Sequence, residues 1–119
     1  MKMQKKSMNA PDEIRDFPLG QLKLVNLEGV TFGLATFQPG WRWSTSVKPI
    51  VKSDSCEAPH TNYHLSGILK VVMDDGTEEE FGPGDIGVVP PGHDAWVVGN
   101  EPVVAIDITG MVNYAKNLK

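Results

Sequence analysis

Ile68-Leu69-Lys70-Val71-Val72-Met73-Asp74-Asp75-Gly76-Thr77-Glu78-Glu79-Glu80-Phe81 is the stretch that reads most directly into structure. Residues 68–73 and 77–81 are two short strand-like runs, and Asp74-Asp75-Gly76 between them is a hairpin signal, because glycine supplies the positive φ that such turns need. The same punctuation repeats outward. Residues 21–27 and 30–37 flank Glu28-Gly29, and Gln38-Pro39-Gly40 leads into Trp41, Trp43 and Thr45, which alternate as on a strand. On the other side, Gly82-Pro83-Gly84-Asp85 precedes the run 86–89, Pro90-Pro91-Gly92 precedes 96–98, and Asn100-Glu101-Pro102 precedes 103–108. Turns this close together leave no room for helical crossovers between parallel strands, so the pattern predicts an all-β sandwich or barrel. Only residues 111–118 could form a short terminal helix.

Composition narrows the function classes. A chain of 119 residues makes one domain. Residues 1–10 are polar and aperiodic and read as a flexible tail, leaving 11–119 as the domain. Lys and Arg total 11 against 15 Asp and Glu, and Lys2, Lys5 and Lys6 all lie in that tail, so the folded body is more acidic than the net charge of -4. An acidic body is a poor match for a phosphate backbone, and no nucleic-acid partner is expected. No run approaches the ~18 apolar residues of a membrane span, and no signal-peptide core follows the basic start. No membrane association is expected, and the expected location is cytoplasmic. Cys56 is the only cysteine, so no disulfide framework exists within the chain.

Residues 60–99, with Gly67, the Asp-Gly hairpin, Gly84, Pro90 and Gly92 in order, resemble the two motifs of the cupin superfamily. Pro39-Gly40-Trp41-Arg42-Trp43-Ser44, Val47-Lys48-Pro49, Asp54-Ser55-Cys56, Tyr63-His64-Leu65-Ser66-Gly67 and Pro90-Pro91-Gly92-His93-Asp94-Ala95-Trp96-Val97-Val98-Gly99 resemble a narrower group, small single-domain bacterial cupins of unassigned function. Together the two resemblances span about residues 11–115. They imply a double-stranded β-helix, a jelly-roll barrel with an open mouth. They also imply an altered metal motif. Aligned on Gly67, the glutamate position of the first motif falls on His60, its second histidine on Cys56 and its first on Asp54. Aligned on Gly84, Pro90 and Gly92, the histidine of the second motif falls on Ala95, leaving His93 as a displaced candidate.

Residues two apart on a strand share a face, so Asp54, Cys56 and His60 would point into the barrel if the strand runs unbroken. Carboxylate, thiolate and imidazole together suit a divalent ion such as zinc, iron, nickel or manganese, with His93 as a fourth ligand. The alternatives are a buried, inert Cys56 with Asp54 capping a turn, or a thiol nucleophile activated by His60 and Asp54. His60 and His64 would stand ~13 Å apart on a strand, too far to share one ion, which makes His64 a deeper barrel residue. Trp41, Trp43 and Trp96, with Tyr63 and His64, are the candidates for an aromatic ligand wall, and at least one of Trp43 and Trp96 should share a cavity with His60 that Ala95 opens.

The expected role is binding a small organic ligand at the barrel mouth through a divalent metal. The rivals are a metal-dependent enzyme of dioxygenase or isomerase type, with Asp54, Asp94 or Tyr63 as acid or base, and a closed structural barrel. A homodimer is expected, paired through strands 21–27 and 30–37, whose backbone edges a second subunit would satisfy. Deleting residues 1–9 should leave the melting temperature almost unchanged, because that segment lacks the apolar surface to offset its ordering entropy; a large fall would show that it docks.

Overall fold

The computed structural model describes residues 2–108, 114 and 115. Nine strands follow one another: β1 (Glu13–Phe17), β2 (Gly20–Leu27), β3 (Val30–Phe37), β4 (His60–Ser66), β5 (Ile68–Met73), β6 (Glu78–Phe81), β7 (Ile86–Val89), β8 (His93–Val98) and β9 (Val103–Asp107). Two single helical turns, α1 (Trp43–Ser46) and α2 (Lys48–Val51), lie between β3 and β4. All strand pairs are antiparallel. They form a six-stranded sheet ordered β1-β2-β3-β9-β4-β7 and a three-stranded sheet ordered β6-β5-β8. This is the all-β, cupin-like barrel expected from the sequence.

The hairpins follow from local chemistry. At the β2–β3 turn Glu28 and Gly29 have φ of 49° and 76°, and Leu27 pairs with Val30, the two-residue primed geometry that matches strand twist. The Asp74-Asp75-Gly76 turn joins β5 to β6 as the sequence predicts, with Asp75 Oδ1 accepting from the Thr77 amide at 2.8 Å. Gly67 is different. It sits where the chain leaves the large sheet for the small one, at φ 72°, and a β-carbon there would lie 2.4 Å from the Pro102 carbonyl oxygen. The contact stops the β4–β5 corner against the β8–β9 connection, so only glycine fits.

Alternation sends one face of each strand inward. Val103, Ala105 and Asp107 of β9 are buried, as are His93, Ala95 and Val97 of β8, while Asp94, Trp96 and Val98 are only partly so. Leu22, Leu24, Phe37 and Val103 belong to the buried core, with the rings of Phe37 and Trp41 stacked at 4.0 Å.

Three expectations are corrected. Trp41 to Thr45 do not form a strand. Trp41 closes a turn on Gln38, Trp43 opens α1, and Pro49 in the first turn of α2 continues the helical path, its missing amide costing nothing there. Strand β1 was not anticipated, because Ile14 and Phe17 alone are apolar in it and they do not alternate; its pairing with β2 supplies what its sequence lacks. That pairing also makes β2 and β3 interior strands, so neither is the open edge strand expected from the sequence. The edges of the large sheet are β1 and β7. The helix expected over residues 111–118 falls mostly outside the described residues. Tyr114 is described: its ring is buried against Phe17 and His60, and its carbonyl accepts from Arg15 Nη1 at 2.7 Å.

The two glycines should separate in a denaturant titration. Gly29→Ala, with open space around the new methyl, should cost about 1 kcal/mol for the left-handed backbone alone. Gly67→Ala adds a backbone collision and should cost at least about 3 kcal/mol; equal costs would show that the corner is not packed as described.

Candidate metal and ligand site

The site begins with a backbone pairing. The Cys56 amide donates to the His93 carbonyl at 2.7 Å, and the Gly92 amide donates to the Cys56 carbonyl at 2.7 Å, so Cys56 and His93 sit side by side as an antiparallel bridge. Cys56 is not continuous with β4. Residues 57–59, ending in Pro59, carry no strand, and the chain bends there before His60 starts β4 opposite Val89. An unbroken strand would hold residues 56 and 60 ~13 Å apart. The bend instead brings Cys56 Sγ to 3.8 Å from His60 Nε2. Donor atoms of Cys56, His60 and His93 all lie within 4.8 Å of one another, and all three residues are buried.

Each histidine is oriented by its other nitrogen. His60 Nδ1 is 2.6 Å from Asp107 Oδ2, and Asp107 is itself buried. His93 Nδ1 donates to the Pro90 carbonyl at 2.8 Å. With Nδ1 engaged in this way, Nε2 is the nitrogen each ring can offer as a ligand, and the carboxylate behind His60 is the arrangement by which proteins fix a ligand imidazole. Burial lowers the pKa of His93, which keeps it neutral and able to act as a ligand. Burial pushes the Cys56 thiol up to about 12, with Glu57, Asp94 and Asp107 adding to the rise. A thiol held protonated in this way is the opposite of an activated nucleophile.

A pocket lined in part by the cluster itself, with Cys56, His60 and His93 on its wall, holds a cavity of about 40 Å³. Ala35, Ala95 and Ala105, on three different strands, leave the room, and Trp41, Trp43 and Phe37 wall it. His64 also lines it. This residue is 1% exposed, its ring stacks on Phe81 at 5.2 Å, and its Nε2 is 3.1 Å from Asn62 Oδ1. Burial lowers the His64 pKa, so the ring is neutral, donating from Nε2 to Asn62 and leaving Nδ1 as an acceptor. His64 Nδ1 and Trp41 Nε1 are the two buried side-chain polar atoms without a hydrogen-bond partner among the described residues. Leaving such an atom unsatisfied costs about 1–3 kcal/mol.

The structure thus brings Cys56, His60 and His93 together as a cluster that could hold a metal ion, and places Trp41, Trp43 and His64 in the pocket lining. The other candidates lie elsewhere. Asp54 is exposed and outside the cluster, because the strand that was to carry it inward is not formed. Tyr63 faces outward at 44% exposure, opposite in parity to His60 and His64 on β4. Trp96 also lies on the outer face, beneath the Arg42 guanidinium at 4.1 Å. Asp94 is outward as well, accepting from the Ser44 amide at 3.1 Å. Of Asp54, Asp94 and Tyr63, considered as acid or base, none lines the pocket. Asp107 was missed, although Val103, Ala105 and Asp107 alternate in sequence and its inward face could have been read from that.

No family model matches the chain, and no curated protein matches it in sequence. Solved structures do resemble it. A cupin-like protein from Thermotoga maritima superposes with a TM-score of 0.56 at 14% identity, over 95% of this chain and 84% of that one. A protein of unknown function from Rhizobium leguminosarum gives 0.57 at 19% identity, over 92% and 99% of the two chains. Another, from Acidithiobacillus ferrooxidans, gives 0.58 at 20% identity, over 81% and 85%. Likeness at these identities is likeness of fold, and the fold of this chain is that of a cupin-type barrel.

Proposed function

We propose that this barrel binds a divalent transition metal through Cys56 Sγ, His60 Nε2 and His93 Nε2, and holds a small organic ligand in the pocket beside it. The observation that carries the reading is the orientation of the cluster: three buried donors within 4.8 Å, with both Nδ1 atoms already engaged by Asp107 and Pro90. The donors suit the group. Sulfur and imidazole ligands at ~2.0–2.3 Å favour zinc or iron over manganese, and three protein ligands leave a further position for solvent or ligand. A metal there would supply Lewis acidity at that position. Asp107 holds the His60 ring in place, and the apolar walls exclude water.

One observation supports a second reading. Cys56, His60 and Asp107 stand in line, at 3.8 and 2.6 Å, as a nucleophile, base and orienting acid would. The raised thiol pKa argues against it. Metal analysis separates the two. Cys56→Ala, His60→Ala and His93→Ala should each strip zinc or iron from the purified protein, whereas His64→Ala should retain it. Asp107→Asn should keep the site but weaken zinc affinity by about 10–100-fold. Full metal retention in both the Cys56 and His60 variants would remove the proposed site.

Chelator-treated protein gives a check on the thiol itself. With the pKa raised, the thiolate fraction should keep climbing through pH 9 towards about 12, so iodoacetamide labelling of the folded chain should be slow at pH 8 and show no plateau there. Rapid labelling at pH 7 would favour the nucleophile.

The homodimer is carried forward to a different surface. Edge strand β7 exposes Ile86 at 75% and Val88 at 74%, beside the outward Tyr63 of β4. A second copy pairing β7 with its counterpart would cover both the apolar side chains and the open backbone edge. Light scattering should give twice the 13.0 kDa chain mass. Ile86→Lys with Val88→Lys should halve it, and a monomeric parent protein would reject the dimer. A free buried cysteine supports a reducing compartment such as the cytoplasm, and among the described residues no helix is long and apolar enough to cross a membrane.

A further inference from the structure

We propose that Tyr114 is the gate of the Cys56, His60 and His93 cluster, and that Arg15 and Phe17 of β1 are the clamp that keeps it shut. The inference rests on the metal reading and deepens it, since it concerns access to that same site. Of the described residues that line the pocket, Tyr114 alone comes after β9. The others sit on strands, or on the connection that carries Trp41, Trp43 and Cys56. The Tyr114 ring is 5% exposed and stands edge-on to His60 at 5.7 Å. Its hydroxyl feels the cluster: burial raises its pKa well above the ordinary value, and Cys56 and Asp107 add to the rise. With the ring in place the cavity is about 40 Å³, room for a few water-sized groups. An organic ligand needs more, so the ring has to yield before one reaches the donors.

The clamp follows from the inward face of β1. Residues two apart on a strand share a face, and Arg15 and Phe17 are the less exposed pair of this strand. Phe17 meets the Tyr114 ring edge-on at 6.2 Å. The Phe17 ring is itself seated over Gly20, where a β-carbon would come within 2.1 Å of Phe17 Cε2. Arg15 holds the backbone, its Nη1 donating to the Tyr114 carbonyl at 2.7 Å. The remaining edge of the guanidinium is taken by Glu13, with Nε 2.6 Å from Oε2 and Nη2 3.2 Å from Oε1, so the fork is aimed before it meets the carbonyl. Only 11% of the Arg15 side chain is exposed. Drying a guanidinium costs solvation, and what this one secures includes Tyr114. Strand β1 thus has a task beyond its pairing with β2.

Cys56, the only cysteine, reports on the gate. In the chelator-stripped full chain, iodoacetamide labelling at pH 8 is timed at urea concentrations below the unfolding transition. Tyr114→Ala and Arg15→Met should label at least about tenfold faster than the parent, at a rate that barely changes with urea, as local opening does. Tyr114→Phe keeps the ring and should label like the parent; if it labels as fast as Tyr114→Ala, the ring is not the seal and the gate is overturned. Loaded with zinc, Tyr114→Ala and Arg15→Met should hold as much metal as the parent and release it to EDTA at least about tenfold faster. Parent-like labelling in Tyr114→Ala, or an acceleration that grows with urea as global unfolding does, would make the ring ordinary core and overturn the gate. Parent-like labelling in Arg15→Met would overturn the clamp. If Tyr114→Ala does not fold, Arg15→Met decides alone, in the same directions. Absence of zinc from every protein, the parent included, would remove the metal site, and the labelling rates would still decide the gate.

Discussion

The paired hydrogen bonds between Cys56 and the Gly92–His93 segment hold the Cys56, His60 and His93 cluster together. They tie the chain just before β4, a strand of the large sheet, to the first residue of β8, a strand of the small one. Two ligand candidates thus come from the bridge itself. The third, His60, follows four residues later, after the bend at Pro59 has turned the chain back into the large sheet. Without the bridge, each sheet would carry part of the cluster and neither would carry all of it.

The same closure accounts for the chemistry. Burial is what raises the Cys56 thiol and lowers His93 and His64, so the pocket favours neutral side chains. Amid these groups Asp107 Oδ2 lies 2.6 Å from His60 Nδ1. An ion pair or hydrogen bond of this kind orients strongly where water is scarce, because a misdirected partner would leave a buried charge uncompensated. The lining mixes these polar groups with the aromatic rings of Phe37, Trp41 and Trp43.

Turn chemistry was legible because it is local. Glu28-Gly29 and Asp74-Asp75-Gly76 specify their hairpins through the φ values that a few adjacent residues can adopt, and the strands flanking them were read correctly for that reason. Cys56, His60 and His93 were legible as residue types beside recognisable turns. Strand β1 was not, since its stability comes from β2 rather than from its own pattern. Trp41 and Trp43 were placed in the cavity for a mistaken reason: strand alternation was expected, whereas a turn and a helical turn bury both.

By itself the sequence determined the all-β class, the hairpin positions and the set of side chains available for a metal. These depend on neighbours within a few residues, where steric limits on φ and ψ dominate. Tertiary structure alone decided which of those side chains meet. Asp107 reaches His60 across 47 positions because β9 lies beside β4, an order set by non-local sheet pairing. Asp54 falls outside because residues 52–55 form no strand ahead of Cys56, and Trp96 faces out because the odd residues of β8, from His93 on, are the buried ones. A strand's period of two turns a single step of register into a change of side, and register is settled by the partner strand, which no local stretch of sequence contains.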